Sequence, residues 1–259
     1  MIKPVLHYFN LADEVVSFST TRHGGVSKGK LATLNINPHR GDEPSAVAEN
    51  LQAVAAEIGV QADKVIRLHQ IHETHCLTVT DAFFRLSVAE QYEMEEGKDA
   101  VVTDCRNVCI GVHTADCVPI LFYDPVHHAI GAAHAGWRGT VQRIAQHTLR
   151  KMTELYGTNP KELKAVVGPC ISAKNFEVGQ EVYDAFSAAG FPMERIARMY
   201  EKWHINLPLC NQLQLEELGV PTANILQSGI CTYDNASDFF SARILKEGFG
   251  TIYTGIALK

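Results

Sequence analysis

No stretch of this sequence is long and apolar enough to cross a bilayer, which takes about 20 apolar residues. A basic stripe is missing too. Lys and Arg number 23 against 29 Asp and Glu, a formal charge of -6, so the electrostatic footprint of a nucleic-acid binder is absent. Membrane and nucleic acid are therefore not expected as partners. Cysteines are seven, an odd and scattered set, which argues against a disulfide framework and for reduced thiols. The opening Met1-Ile2-Lys3-Pro4 lacks the charged-then-apolar pattern of a signal peptide, so a cytoplasmic protein is expected. Repeats, low-complexity tracts and flexible linkers are also missing, and residues 1–259 are expected to form one α/β domain. A monomer or small homo-oligomer is expected.

What is present is ordinary globular material, 46% hydrophobic and 20% charged, enough for one large core. Val15–Thr20 is short and β-branched, and runs into the glycine loop Arg22-His23-Gly24-Gly25. The segment Pro44–Ile58 predicts a helix with Val47, Leu51, Val54 and Ile58 on one face and Gly59 as its stop. Short strands are predicted at Lys64–Leu68 and Cys76–Thr80. A dense strand region follows at Ala100–Thr103, Val108–His113, Val118–Tyr123 and Ala129–His134. Next comes a helix over Thr140–Tyr156, with Val141, Ile144, Thr148, Met152 and Leu155 inward. Leu163–Val167 predicts a strand, Val178–Ala189 and Asn206–Leu218 predict helices, and Ile230–Tyr233 and Phe239–Ser241 close the chain.

Two runs in the strand region carry chemistry: Thr114-Ala115-Asp116-Cys117 and His134-Ala135-Gly136-Trp137-Arg138-Gly139. Each sets a metal ligand or nucleophile at a strand end, where reactive groups are displayed. Small residues after His134 allow close approach of backbone or substrate. The helix start beside Arg138 suits an anion such as phosphate, or is simply a glycine-rich turn with a surface arginine. Upstream, His69 and His72 cannot both face one site from a flat strand, because alternate residues point apart. One Cys and two His from separate segments can make a three-ligand zinc site with an open position, which separates a catalytic zinc from a structural one. Asp116 is either a proton carrier beside the metal or a residue that fixes the turn.

At these residues the chain resembles the YfiH family, proteins labelled laccase-domain or polyphenol oxidoreductases. The matching runs are Thr20–Ser27, Leu34-Asn35, Gly41-Asp42, Glu49-Asn50, Gln70-Ile71-His72, Thr114–Pro119 and His134–Thr140. Gly168-Pro169, Phe176–Gly179, Cys231-Thr232-Tyr233 and Phe239–Ser241 extend the match over nearly the whole chain. The resemblance implies an α/β/β/α sandwich of mixed sheets, similar to cysteine-hydrolase-like folds. It also implies a Zn²⁺ site on His72, Cys117 and His134, choosing His72 over His69. The implied activity is phosphorolysis of adenosine, inosine and methylthioadenosine, with adenosine deamination at the same site. Purine nucleosides and phosphate are thus the expected partners. Arg22 and Arg138 are candidates for phosphate, and Asn35 for ribose or base. After Phe239-Phe240-Ser241 the chain reads Ala242-Arg243-Ile244 where Tyr-Arg-Arg is common, so Arg243 alone is retained as a substrate candidate.

Two other readings compete. Copper chemistry on phenols needs several copper centres, and the remaining histidines show no His-x-His pairs to build them. A cysteine hydrolase, with Cys117 as nucleophile and His134 as base, would act as an amidase on cell-wall precursor peptides.

Overall fold

The computed structural model describes residues 2–259. Its strands are β1 (Leu6–Tyr8), β2 (Val15–Thr20), β3 (Cys76–Thr78), β4 (Ala100–Thr103), β5 (Cys109–Thr114), β6 (Val118–Asp124), β7 (Ala129–Ala135), β8 (Lys164–Val167), β9 (Glu177–Val178), β10 (Ala197–Met199), β11 (Trp203–Ile205), β12 (Ile225–Gln227) and β13 (Ile252–Leu258). The helices are α1 (Pro44–Ile58), α2 (Val88–Glu95), α3 (Trp137–Val141), α4 (Ile144–Tyr156), α5 (Gln180–Ala188), α6 (Met193–Ile196), α7 (Leu207–Glu217) and α8 (Ala242–Leu245).

Alternation along the strands explains the layers. In β6, Ile120 and Phe122 join a core shared with α4 and α7, while Leu121 and Tyr123 face the opposite way. In β7, Ala129 and Ala133 take the helix side, and Ile130 and Ala132 the other. These second faces meet Ile110 and Val112 of β5 and Ile256 and Leu258 of β13. Behind β13, Tyr253 and Ala257 pack with Leu51, Val54 and Ile58 of α1. Each of those α1 side chains contributes roughly 1.5–3 kcal/mol through burial. With both faces of each central strand covered, the strands read as nearly unbroken apolar runs. The result is helix, sheet, sheet, helix, the sandwich expected.

One sheet runs β1-β2-β13-β5 and is wholly antiparallel. The other runs β12-β8-β6-β7-β4-β3 and is mixed, with β12–β8 and β3–β4 parallel. A small third sheet, β10-β11-β9, lies apart.

Several predicted elements change. Lys64–Leu68 is not a strand: a 3₁₀ turn occupies Ala62–Lys64, and Val65 makes only an isolated bridge to Cys109. The helix expected over Thr140–Tyr156 breaks at Arg143, whose left-handed φ of 66° separates α3 from α4. Leu155, expected inward, is 41% exposed, because the buried stripe runs through Ala145, Leu149 and Met152 to Tyr156. Ile230–Tyr233 forms only a bridge between Cys231 and Cys170. The unforeseen β13 is the strand on which the four-stranded sheet is built.

Candidate metal centre

The β6–β7 hairpin pairs Val118 with Ala135 and Pro119 with His134. Cys117, one residue before β6, therefore lies beside the end of β7, and hairpin pairing alone brings two candidate ligands together. Asp116 makes the turn into Cys117 with a positive φ of 82°. Its carboxylate accepts bonds from the Thr232 hydroxyl at 2.6 Å, the Ser241 hydroxyl at 3.0 Å and the Arg243 backbone N–H at 2.7 Å.

His72 arrives from another segment, and an aspartate absent from the sequence reading places it. The fully buried Asp99 precedes β4 and accepts the backbone N–H groups of Ile71, His72 and Glu73 at 3.0, 2.9 and 3.0 Å. These three bonds hold His72 in the left-handed region at φ 67°, a conformation costly for a non-glycine residue. The same carboxylate receives His134 Nδ1 at 2.7 Å, and the Asp99 carbonyl receives the His134 N–H at 2.8 Å. One buried acid thus orients both histidines. Only its position just before a buried strand hinted at this role.

The ligand atoms of His72, Cys117 and His134 all lie within 4.8 Å of one another. Cys117 Sγ is 4.0 Å from His72 Nε2, close to the roughly 3.5 Å between sulfur and nitrogen ligands of a tetrahedral zinc. Because His134 turns Nδ1 to Asp99, its Nε2 is left for a metal, the carboxylate–histidine pattern that supports metal ligands. Gly136 makes the convergence possible. A Cβ there would lie 3.0 Å from the His72 ring and 3.2 Å from Cys117 Sγ. The donor set fits a metal ion.

Without an ion the group is strongly polarised. Burial pushes the Cys117 thiol up, but the His134 charge and hydrogen bonds from His134 and His72 outweigh it and bring the value to about 6. Burial pulls His134 down, yet the Cys117 and Asp99 charges hold it at about 9. Against its own burial, Asp99 is kept below the usual carboxylate range by His134 and the backbone donors. Cys117, His134 and Asp99 form a charge-coupled chain, in which a cation bound to Cys117 Sγ and His134 Nε2 would take the place of the proton they share.

The three ligands open onto a cavity of about 240 Å³, also lined by Asn37, Arg40, His69, Gln70, His113 and Thr251. Gln70 extends the edge of β5 by exchanging two bonds with the His113 backbone, at 2.8 and 2.7 Å. His69 stacks on His39 at 4.1 Å and pairs with Glu96 at 2.6 Å, so it belongs to the wall and not to the ligand group.

Residues 16–259 match the family described as multi-copper polyphenol oxidoreductase laccase. The chain belongs to that family. It is 40% identical, over 99% of its length and 97% of the relative's, to a protein named purine nucleoside phosphorylase from Bacteroides thetaiotaomicron. It is 35% identical, over 98% of each chain, to a protein named adenosine deaminase RL5 from an unknown prokaryotic organism. A crystal structure of the Bacillus licheniformis hypothetical protein YfiH superimposes with a TM-score of 0.91 at 31% identity. That match covers 99% of this chain and 97% of the other.

In this member of the laccase family, the substrate candidates singled out from the sequence lie away from the cavity lining. Arg22 is used in holding loops: Nε donates to Ala32 O at 3.1 Å, Nη1 to Ala236 O at 2.9 Å, and its plane lies over Phe240. Arg138 is exposed and stacks on Trp137 at 4.3 Å. Asn35 is fully buried and bonds Asn37 O and Asp42 Oδ2, bracing the loop that carries Asn37 and Arg40. Arg243 donates to Glu177 O at 3.0 Å and lies over Phe176, while its neighbour Ala242 lines the cavity. Asp116 is turned to its three donors and fixes the turn, which leaves no lone proton-carrying oxygen aimed at the ligands. For Arg22, Asn35, Arg243 and Asp116 the physical reason is common: loops need polar side chains to satisfy their own backbone groups, and these residues are spent on that. Arg138 is instead held by its stack on Trp137.

Proposed function

We propose that the chain is a zinc-dependent purine nucleoside enzyme. It cleaves adenosine, inosine and methylthioadenosine with phosphate and also deaminates adenosine. The carrying observation is the convergence of His72, Cys117 and His134 on one cavity, with Asp99 behind His134. The names of the 40% and 35% identical relatives support the substrate class.

One thiolate and two imidazoles suit zinc, and a fourth position on the cavity side is what a catalytic site keeps open. Zinc held there would act as a Lewis acid and lower the pKa of water toward about 7. The chain's own part is orientation. Asp99 keeps the proton of His134 on Nδ1 and its Nε2 facing the cavity, and Asp116 fixes the backbone that presents Cys117. In phosphorolysis a phosphate oxygen bonds to C1′ of the ribose as the C1′–N9 bond breaks. The bond's electron pair goes to N9 of the purine, which takes up the proton the phosphate gives up.

A copper oxidase would need several copper centres, whereas the described residues offer one group of three ligands. The lining residues include no Met to serve as the long axial ligand of a blue-copper site. The test is metal analysis of the purified protein, together with incubation of adenosine, inosine and methylthioadenosine with and without phosphate. About one zinc per chain and phosphate-dependent base release are expected. Several coppers per chain, or inertness toward every nucleoside, would overturn the reading.

The chain Cys117–His134–Asp99 favours a second reading, a cysteine hydrolase acting on peptide amides. Iodoacetamide trapping of Cys117 in metal-free protein that is still active would select it.

A further inference from the structure

The cavity described above needs an occupant for a set of donors that the protein leaves unmet. Arg40 is the one arginine or lysine in its lining. Its plane lies over Phe249 at 4.3 Å and its Nε donates to Phe249 O at 3.0 Å, so the guanidinium is held in place. Its two Nη groups have no acceptor among the described residues. A fixed guanidinium presenting such a fork suits a planar or tetrahedral oxyanion.

His113, at the end of β5, supplies a second donor, and its tautomer follows from a chain of bonds. The Asn37 side-chain carbonyl accepts the His39 N–H at 2.9 Å, which turns the Asn37 amide nitrogen toward Thr251 Oγ1 at 3.2 Å. Thr251 Oγ1 accepts there and lies 3.3 Å from His113 Nδ1. The hydroxyl proton of this buried threonine is satisfied by donating to His113 Nδ1. Neutral His113 then carries its own proton on Nε2. That atom is buried and has no partner among the described residues. Burial first, then the charges of Arg67, His39, His134 and Arg40, hold His113 neutral. Thr114 Oγ1, in the same lining, is likewise buried without a partner. Leaving such groups unmet costs about 1–3 kcal/mol each, so a ligand that meets them gains accordingly.

We propose that Arg40 and His113 form the oxyanion subsite of this cavity, where inorganic phosphate is held for attack. The assignment rests on the phosphorolytic reading above. Both groups only donate and one is permanently cationic. They match a ligand that only accepts and is negative. A purine edge, which mixes donors and acceptors, matches them poorly. No carboxylate is among the lining residues, and Glu96, which touches the lining residue His69, is paired with it and does not oppose an anion.

The test uses inorganic phosphate in two measurements on the purified enzyme: ³¹P NMR titration, which needs no turnover, and phosphorolysis kinetics. Arg40→Met should raise the Kd and KM for phosphate about 10- to 100-fold, the scale of a lost charge-assisted hydrogen bond. The KM for adenosine should move far less. His113→Phe should raise the phosphate constants about tenfold, and His113→Gln, which keeps an N–H near Nε2, should recover much of that. Phosphate constants within twofold of wild type in a folded Arg40→Met protein would overturn the assignment, as would a wild type that binds no phosphate. Far-UV circular dichroism checks folding, and if His113→Phe does not fold, Arg40→Met decides alone. Base release that needs no phosphate would sink the phosphorolytic reading, while the NMR titration would still judge the subsite.

Discussion

At the scale of single residues, the candidate metal centre depends, on the zinc reading, on two positions that are not themselves ligands. Gly136 leaves the space between the His72 ring and Cys117 Sγ. Gly136→Ala should therefore push the ligands apart and weaken zinc binding at least tenfold, measured by competition with a chelating dye, while the hairpin still folds. Asp99 is the other. Asp99→Asn keeps the shape but removes the charge that balances His134, and it puts an NH₂ donor where one oxygen accepted two bonds, either from Ile71 and Glu73 N–H or from His72 N–H and His134 Nδ1. Zinc affinity should fall by about 10- to 100-fold, as when other outer partners of metal-bound histidines are lost. Wild-type affinity in Asp99→Asn would mean the aspartate only shapes the loop. Cys117 and His134 were legible in the sequence because hairpin pairing is local. Asp99 was not, since its three backbone partners come from a segment nearly thirty residues away.

Among the elements, the β6–β7 hairpin sets the geometry, and its turn is pinned at the far end by Asp124. This carboxylate is 1% exposed and accepts the N–H groups of Val126 and His127 and His127 Nδ1, at 2.9, 3.1 and 2.9 Å. Burial alone would raise Asp124, but the Thr158 hydroxyl and these donors hold it below the usual carboxylate range. A lowered folded value means the unfolded chain takes up the proton more readily. The contribution is then whole above about pH 4 and lost as pH falls through the folded value. Asp124→Asn should cost about 1–3 kcal/mol at pH 7 by urea denaturation, and the gap to wild type should narrow below about pH 4. A constant gap would show that shape, not charge, pins the turn. The other elements were unevenly legible. The helix α1 shows its period and its glycine stop in the sequence. By contrast, β13 reads Ile-Tyr-Thr-Gly-Ile-Ala-Leu, buried along its whole length, so no alternation marks it. The break at Arg143 is invisible to periodicity because the apolar spacing runs straight through it.

For the molecule as a whole, the three large cores lie in the layers and the ligands lie at strand ends. On the zinc reading, removing the metal should therefore lower stability without unfolding the chain. At zinc concentrations about 100-fold above Kd, chelation should lower Tm by about 5–10 °C while the far-UV spectrum stays native. Cys117→Ala should lose that shift along with nucleoside turnover. A collapse of secondary structure on chelation would mean that the site holds the fold together.

Sequence alone determined that this is an α/β chain whose Cys117 and His134 meet at strand ends. Hairpin pairing and apolar runs are local properties, and the resemblance they carried selected His72. Tertiary structure decided what surrounds them. It put Asp99 behind both histidines and spent Arg22, Asn35, Asp116, Arg138 and Arg243 on loops and stacking. It turned Arg40 and His113 toward the cavity instead. Which polar group is consumed by its own backbone and which is left for a ligand depends on contacts between segments far apart in the chain. No spacing along a sequence records them.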